Sequence, residues 1–222
     1  MNQNQWNAVD EYINNMLVSS DAALDAALTA SAAAGLPEIQ VTPNQGKMLH
    51  LLAKIQGASR ILEIGTLGGY STIWLARALS KGGRLVTLEL DPQYAEVAKA
   101  NIAGAGLADI VELRLGRALD TLSRLATEGA APFDLIFIDA DKSSTADYFT
   151  WALKLSRQGS VIIADNVVRE GAVIDAASGD PSVQGIRRFN EAVAAESRVS
   201  ATAIQTVGSK GYDGFAIVLV TS

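Results

Sequence analysis

The sequence predicts an α/β fold in which a doubly wound, mostly parallel sheet carries helices on both faces. Five short runs rich in Ile, Val and Leu recur with a spacing of about 25 residues, which fits a strand followed by a crossover helix. These runs are residues 60–64, 84–90, 110–115, 133–139 and 160–165. Two further runs, residues 199–207 and 215–220, are separated only by the turn 208–214, which predicts an antiparallel hairpin.

Helical signals fill the remaining segments. Residues 1–57 are expected to form a helical extension packed on the sheet, with helices over 6–18, 22–34 and 44–56. In the segment 91–106, Asp91 can cap the helix, Pro92 takes its first position and Gly106 can end it. Apolar residues at helical spacing predict a further helix over 182–196. We therefore expect one domain over residues 1–222.

Composition excludes several classes of protein. Hydrophobic residues make up 49% of the chain and charged residues 19%, which is typical of a folded globular protein. The formal net charge is -6 and the basic residues are scattered, so no nucleic-acid partner is expected. The absence of Cys excludes disulfides, thiolate zinc sites and cysteine nucleophiles. No targeting or membrane-spanning pattern is visible, so we expect a cytoplasmic protein without membrane contact.

Candidate ligand-binding residues follow the predicted strands, because ligands of open parallel sheets bind beyond the carboxyl ends of the strands. Gly65, Gly68 and Gly69 form a loop after the first strand, and Glu89 lies at the end of the second. A carboxylate at that position can accept hydrogen bonds from both hydroxyls of a ribose, which indicates a nucleoside ligand. The loop has no G-x-G-x-x-G and the chain has no P-loop motif, so the nucleoside is expected to lack phosphates. Alternatively, the glycines form only a tight strand-to-helix turn.

The next strand ends offer oxygen ligands for a cation. Asp139, Asp165 and Asn166 supply two carboxylates and one amide oxygen, which is the donor set that Mg²⁺ prefers. The alternative is that both aspartates only cap the helices that follow. Lys142 comes three residues after Asp139 and is either a solvated lysine or a general base, since a neighbouring dication favours the neutral amine.

Four segments together resemble one known family. They are Val41-Thr42-Pro43, Leu62-Glu63-Ile64-Gly65-Thr66-Leu67-Gly68-Gly69-Tyr70-Ser71, Phe137-Ile138-Asp139-Ala140-Asp141-Lys142 and Ala164-Asp165-Asn166-Val167. In order and spacing they are similar to the motifs of the class I S-adenosylmethionine-dependent methyltransferases, specifically the cation-dependent catechol and caffeoyl-CoA type O-methyltransferases. The resemblance runs from about residue 35 to the end of the chain.

The resemblance implies a fold, a reaction and roles for individual residues. The fold is the Rossmann-like class I methyltransferase sheet of seven strands in the order 3-2-1-4-5-7-6, with N-terminal helices and an antiparallel C-terminal hairpin. The reaction is methyl transfer to a vicinal-dihydroxy aromatic acceptor, of catechol or hydroxycinnamoyl type, by a homodimeric enzyme. The implied cofactor contacts are Val41, Glu63, Gly65, Tyr70 and Ser71 for the methionine and sulfonium part, Glu89 for the ribose and Ala118 for the adenine, with Asp139 as a further cofactor contact. The implied ligands of Mg²⁺, or of Ca²⁺ or Mn²⁺, are Asp139, Asp165 and Asn166, with Lys142 as the base.

Two departures from the family pattern concern the acceptor. Residues 207–210 lack the carboxylate that animal catechol enzymes carry before their last strand, and Arg169 with the loop 170–181 follows the Asp-Asn pair. These features raise an acidic or CoA-linked acceptor as an alternative to simple catechol.

Two other functions stay open on sequence grounds. One is metal-dependent phosphoryl transfer through Asp139 and Asp141, and the other is a nucleoside-binding module without turnover.

Overall fold

Seven strands form one mixed sheet in a computed structural model that describes residues 2–19 and 21–222. The strands are β1 Arg60–Ile64, β2 Arg84–Glu89, β3 Val111–Leu115, β4 Phe133–Ile138, β5 Ser156–Asp165, β6 Val199–Gly208 and β7 Gly211–Val220. Their order in the sheet is β3-β2-β1-β4-β5-β7-β6. Strands β1 to β5 are parallel, whereas β7 is antiparallel to both β5 and β6. The predicted fold class and strand order are therefore confirmed.

Eight α-helices surround the sheet in the described part of the chain. They are α1 Gln3–Leu17, α2 Ala22–Ala33, α3 Pro43–Gln56, α4 Tyr70–Ala76, α5 Pro92–Gly104, α6 Ala118–Thr127, α7 Thr145–Lys154 and α8 Pro181–Ala195. Two 3₁₀ segments, Lys142–Ser144 and Arg169–Ile174, follow β4 and β5. Within residues 2–19 and 21–222, no helix is both long and apolar enough to cross a membrane.

The terminal hairpin is tighter than the sequence suggests. A seven-residue turn was expected over 208–214, but Gly208 pairs with Gly211 and only Ser209 and Lys210 lie between the strands. Gly211 takes a φ of 90°, a left-handed conformation that suits glycine in a tight turn. The apolar run from which β7 was predicted begins only at Phe215, whereas the strand begins at Gly211. Residues 211–214 belong to the strand because they pair with β6, and such pairing does not require apolar side chains.

Alternating side chains of the strands build two cores, one on each face of the sheet. On one face, Ile61 packs in a core shared with α2, α3, α4 and α5. On the other, Leu62 and Ile64 pack in a core shared with α6, α7 and α8. This two-residue period is that of a strand with both faces covered. The helices therefore hold the sheet by its faces and leave the carboxyl ends of the strands for a site.

Helix caps bring two chain segments to that edge. The Thr42 side chain accepts a hydrogen bond from the Gln45 backbone N–H, with Pro43 at the first position of α3. The Asp91 side chain accepts from the backbone N–H groups of the first turn of α5, as its sequence predicted. The cap of α3 fixes Val41 and Gln45 beside the sheet, and both side chains enter the site described below.

The first helix is attached mainly through polar contacts. None of the residues Gln3–Leu17, all of which the structure describes, is buried. The Asp10 carboxylate accepts from the Ser209 backbone N–H at 2.7 Å, and the Gln3 side chain donates to the Gly208 carbonyl at 2.8 Å. Apolar side chains are exposed on α1 and α3: Tyr12, Met16, Leu51 and Ile55.

Candidate functional site

A cavity of about 580 Å³ opens at the carboxyl ends of β1, β2 and β4. Most of the residues singled out in the sequence lie on its wall, although they are spread over more than a hundred positions of the chain. They are Val41, Gly65, Tyr70, Ser71, Glu89, Ala118, Asp139, Lys142 and Asn166. The carboxyl-end rule indicated Gly65, Glu89, Asp139, Lys142 and Asn166 among them, and the resemblance added the others.

Gly65 allows the ends of β1 and β4 to meet at this cavity. Its φ is 103°, and a Cβ atom placed on it would lie only 2.1 Å from the Asp139 carbonyl oxygen. The Asp139 backbone N–H donates to the Ile64 carbonyl at 2.9 Å, so the two strands stay paired up to this point. Any side chain at Gly65 would push Asp139 away. The glycine loop and the first candidate metal ligand are therefore fixed by the same backbone contact.

Glu89 ties two backbone loops to the cavity. One carboxylate oxygen accepts from the backbone N–H groups of Thr66 and Leu67, at 3.3 and 2.8 Å. The other accepts from those of Leu90 and Asp91, at 2.8 and 2.9 Å. The side chain is buried and still borders the cavity. It therefore organises the glycine loop and the start of α5 in addition to the ribose contact expected of it.

Glu63 lies behind the wall of the cavity. Its side chain is fully buried, and it accepts hydrogen bonds from the hydroxyls of Ser71, Thr72 and Thr87. Burial raises its pKa to about 7 against the opposing effect of these hydroxyls, and the nearby charge of Asp139 raises it further. Glu63 is not among the residues that line the cavity, whereas its hydrogen-bond partner Ser71 is. The cofactor contact that the resemblance implies for Glu63 stays a prediction.

Asp139 and Asn166 line this cavity, and Asp165 and Asn166 line a second one of about 230 Å³. The Asp165 carboxylate accepts from the Gln45 side-chain amide at 2.7 Å and from the Asn166 backbone N–H at 2.8 Å. Burial and the charge of Asp139 raise the pKa of Asp165. A carboxylate as buried as that of Asp165, with a second carboxylate acting on it, fits a divalent cation, which stabilises negative charge.

The third ligand of that set is an amide. Within residues 2–19 and 21–222, no three His, Cys, Asp or Glu side chains are grouped so as to hold a metal ion. The candidate set has two carboxylates, so it depends on the Asn166 oxygen for its third donor. Asn166 has a φ of 57°, a left-handed conformation that Asn tolerates better than most residues. The donor chemistry therefore fits Mg²⁺ as the sequence suggested.

Lys142 is held close to the candidate metal ligands. Its ammonium donates to Asp139 Oδ1 at 2.7 Å, and its side chain is only 12% exposed. Helix α8 packs closely on this segment, since a Cβ atom on Gly185 would lie 2.1 Å from the Lys142 carbonyl oxygen. Lys142 is therefore a positioned residue at the site and not a solvated surface lysine.

Asp141 has a structural role. Its carboxylate accepts from the Tyr148 hydroxyl and, at 2.9 Å, from the Ser143 hydroxyl. Burial acts to raise its pKa, but hydrogen bonds from Ser144, Tyr148 and Ser143 outweigh burial and lower it. An engaged carboxylate of this kind does not suit the paired nucleophile and acid that the phosphoryl-transfer alternative required of Asp139 and Asp141.

Sequence reasoning missed two residues that support the site. Gln45 contacts Asp165 across 120 positions of the chain, and the Thr42-Pro43 signal predicted only that a helix starts there. Asp213 accepts from the backbone N–H groups of Val168 and Arg169, both at 2.9 Å, and so shapes the loop after β5. No local pattern marks either contact, because both depend on how α3 and the hairpin dock on the sheet.

Comparison with known proteins gives consistent matches along the chain. A family model described as O-methyltransferase matches residues 15–219. A catechol O-methyltransferase of Niastella koreensis is 55% identical over 220 residues, which are 99% of this chain and 100% of that protein. The crystal structure of an O-methyltransferase from Bacillus cereus in complex with SAH has a TM-score of 0.98 and 60% identity, and the match covers 99% of this chain and 100% of the other. The O-methyltransferase TomG from Streptomyces achromogenes, involved in tomaymycin synthesis and in complex with SAM, has a TM-score of 0.97 and 55% identity over 100% of both chains.

Proposed function

This chain belongs to the O-methyltransferase family, and from that premise we propose that it methylates one hydroxyl of a vicinal-dihydroxy aromatic compound with the help of a divalent cation. The methyl donor is S-adenosylmethionine. The observation that carries the proposal is that Asp139 and Asn166 line the cavity that the glycine loop borders, while Asp165, on which the charge of Asp139 acts, lines the adjoining one. A cation there would bind both oxygens of a diol next to the donor.

The cofactor assignment has two supports. Relatives of 60% and 55% identity have been crystallised with SAH and SAM. The cavity is also lined by the carboxylates of Glu89, Asp139 and Asp141, which favour a ligand with sulfonium and ammonium charges. In the proposed pose, Gly65 and Ser71 contact the methionine part, Glu89 the ribose and Ala118 the adenine.

The metal would be held by Asp139, Asp165 and Asn166, with Mg²⁺ the expected ion and Ca²⁺ or Mn²⁺ as alternatives. When bound, it supplies Lewis acidity that lowers the pKa of the acceptor hydroxyl. Gln45 holds Asp165 in place, because its side-chain amide donates to one carboxylate oxygen. Support for the cation comes from Asp165, which is buried and has its pKa raised by burial and by the charge of the neighbouring Asp139.

Lys142 is the proposed base. The Lys142 amine would take the proton of the attacking hydroxyl while the O–CH₃ bond forms, the S–CH₃ bond breaks and S-adenosylhomocysteine leaves. The contact with Asp139 places the amine beside the proposed metal ligands. Alignment of the two bound reactants contributes about 7 to 11 kcal/mol of barrier reduction in well-oriented systems.

Acceptor geometry gives the experiment for this proposal. Catechol, resorcinol and phenol should be compared as acceptors of a labelled methyl group, because only catechol presents two adjacent oxygens. Catechol should be methylated once, while resorcinol and phenol should react at least about a hundredfold more slowly. Equal turnover of the three would contradict binding of a vicinal diol. Transfer to none of them would leave the nucleoside-binding module as the better explanation.

A homodimer is the second part of the proposal. Tyr12 and Met16 on α1 are each 66% exposed, while Leu51 and Ile55 on α3 are 48% and 82% exposed. Each pair is four residues apart and so lies on one face of its helix. Apolar faces of this kind are typical of surfaces that a partner covers. The double variant Met16→Glu, Ile55→Glu should halve the mass measured by light scattering, whereas Ile174→Glu, at a similarly exposed position, should not.

A further inference from the structure

Arg169 is a cation on the cavity wall that the proposed chemistry does not use. It lines the same cavity as Lys142, Asn166 and Ser182. Its Nε atom is buried and has no hydrogen-bond partner among the described residues. Its Nη1 atom lies 3.6 Å from Asp213 Oδ2, which is a loose ion pair. A guanidinium carries four N–H donors on its two Nη atoms, and this loose pair leaves donors of Arg169 for a ligand.

The backbone that carries this side chain is strained. Arg169 and Glu170 have φ values of 55° and 56°, and Gly171 has a φ of 89°. Such a left-handed conformation is rare for residues other than Gly, Asn and Asp. Asp213 holds it in place, because one carboxylate oxygen accepts from the backbone N–H groups of both Val168 and Arg169. The fold thus maintains an unfavourable turn three residues after Asn166, at the edge of the proposed metal site.

Charge on the wall indicates what Arg169 would bind. Of the described residues that line the cavity, Lys142 and Arg169 are the cationic ones. The Lys142 ammonium is already bonded to Asp139 at 2.7 Å. The proposed methionine part of the cofactor lies at the glycine loop, whereas Arg169 follows the metal ligands of β5. Arg169 thus lines the cavity on the side of the proposed metal ligands, where a cation favours an anionic group on the acceptor.

We propose that Arg169 binds a carboxylate of the acceptor, so that the preferred substrate is a vicinal-dihydroxy aromatic acid and not neutral catechol. This inference rests on the proposed function and makes its acceptor class narrower. A guanidinium and a carboxylate pair through two parallel N–H···O bonds, which adds directional selectivity to the attraction of the charges.

The test compares 3,4-dihydroxybenzoate with 3,4-dihydroxybenzamide, which has nearly the same shape but no charge. The wild-type kcat/KM should be higher for the acid. Arg169→Gln should lower kcat/KM for the acid by about tenfold or more and leave the value for the amide within about twofold. For the acid, the kcat/KM of Arg169→Lys should lie between those of the wild type and of Arg169→Gln. Lysine keeps the positive charge but cannot form two parallel N–H···O bonds. Arg84→Gln, at the amino end of β2, is the matched control and should change neither value.

Four results would overturn the inference. If the wild-type enzyme methylates both acceptors equally well, or if Arg169→Gln lowers both values alike, Arg169 has no role in acceptor selection even though the methyltransferase assignment stands. If calorimetry shows weaker S-adenosylmethionine binding by Arg169→Gln, the residue serves the cofactor. The wild-type comparison decides the question even if the Gln variant does not fold. Failure of the wild-type enzyme to methylate either acceptor would contradict the proposed function and this inference with it.

Discussion

Two buried carboxylates of the site, Glu63 and Glu89, are stabilised in different ways. Glu89 accepts hydrogen bonds from four backbone N–H groups, which bind two loops together. Glu63 accepts three side-chain hydroxyls in a fully buried place, and burial raises its pKa to about 7. Substitution of Glu89 should therefore affect the geometry of the loops, while substitution of Glu63 should affect the electrostatic free energy of folding.

Glu89→Gln should weaken S-adenosylmethionine binding by about tenfold or more, because the new amide group cannot accept from the two N–H groups that its nitrogen would face. The melting temperature should fall as well, since both loops lose hydrogen bonds. Calorimetry and thermal unfolding are the measurements. Glu96→Gln, an exposed carboxylate on α5, is the control and should change neither. Cofactor affinity unchanged by Glu89→Gln would remove Glu89 from the cofactor site.

Lys142→Ala should lower kcat by about a hundredfold, the usual share of general-base catalysis, with S-adenosylmethionine affinity nearly unchanged. The defect should shrink as pH rises and for a nitrocatechol, because such an acceptor ionises without help. Steady-state kinetics across pH with both acceptors measure the effect. A defect that is the same at every pH and for both acceptors would mean that Lys142 only shapes the site.

At the scale of elements, the site depends on close backbone contacts between strand ends. β1 and β4 approach at Gly65 and Asp139, and α8 approaches the Lys142 segment at Gly185. At both places a Cβ atom would lie 2.1 Å from a carbonyl oxygen, and that oxygen belongs to backbone that cannot move aside cheaply. Glycine is therefore required at these points by the packing of elements.

Gly65→Ala should displace Asp139 and so weaken both cofactor and cation binding, in addition to the strain of a φ of 103°. Gly104→Ala is the matched control, because this glycine lies at the end of α5 with open space around it. Calorimetric titration of each variant with Mn²⁺ and with S-adenosylmethionine measures the effect. If Gly65→Ala binds both ligands like the wild type, the close contact is not needed.

Most elements could be predicted from the sequence, but the contacts between them could not. Periodic apolar runs indicate strands, and the carboxyl-end rule brought Glu89, Asp139 and Asn166 to one edge. Alternation within a strand predicts on which face of the sheet a side chain lies, but not how far that side chain is from the cavity. The sequence therefore did not predict that Glu63 lies behind the cavity wall. The Gln45 contact with Asp165 depends on the docking of α3, for which the sequence carries no local signal.

At the scale of the whole molecule, buried acids couple folding to pH. Glu63 has its pKa raised from an ordinary value of 4.5 to about 7, and that of Asp165 is also raised. The folded chain therefore holds protons that the unfolded chain releases at lower pH. The contribution of these two groups to the free energy of unfolding is fully present below their pKa values in the unfolded chain. It is lost as pH rises through their pKa values in the folded chain.

The free energy of unfolding of the ligand-free protein should consequently fall between about pH 5 and about pH 7, with Glu63 accounting for about 3 kcal/mol at most. Chemical denaturation at several pH values measures this slope. Glu63→Gln should make the slope shallower, because its amide does not titrate and its oxygen still accepts hydrogen bonds. An identical slope in wild type and variant would show that Glu63 ionises in the folded protein as it does in the unfolded one.

Metal dependence of methyl transfer tests the central claim most directly. The enzyme should be treated with a chelator, assayed with labelled S-adenosylmethionine and catechol, and assayed again after Mg²⁺ is added. Chelation should abolish turnover while calorimetry still detects cofactor binding, and Mg²⁺ should restore turnover in the wild type and in the exposed-site control Asp120→Asn but not in Asp165→Asn. Undiminished methylation by the chelated enzyme, or full restoration in Asp165→Asn, would contradict a cation held by Asp139, Asp165 and Asn166.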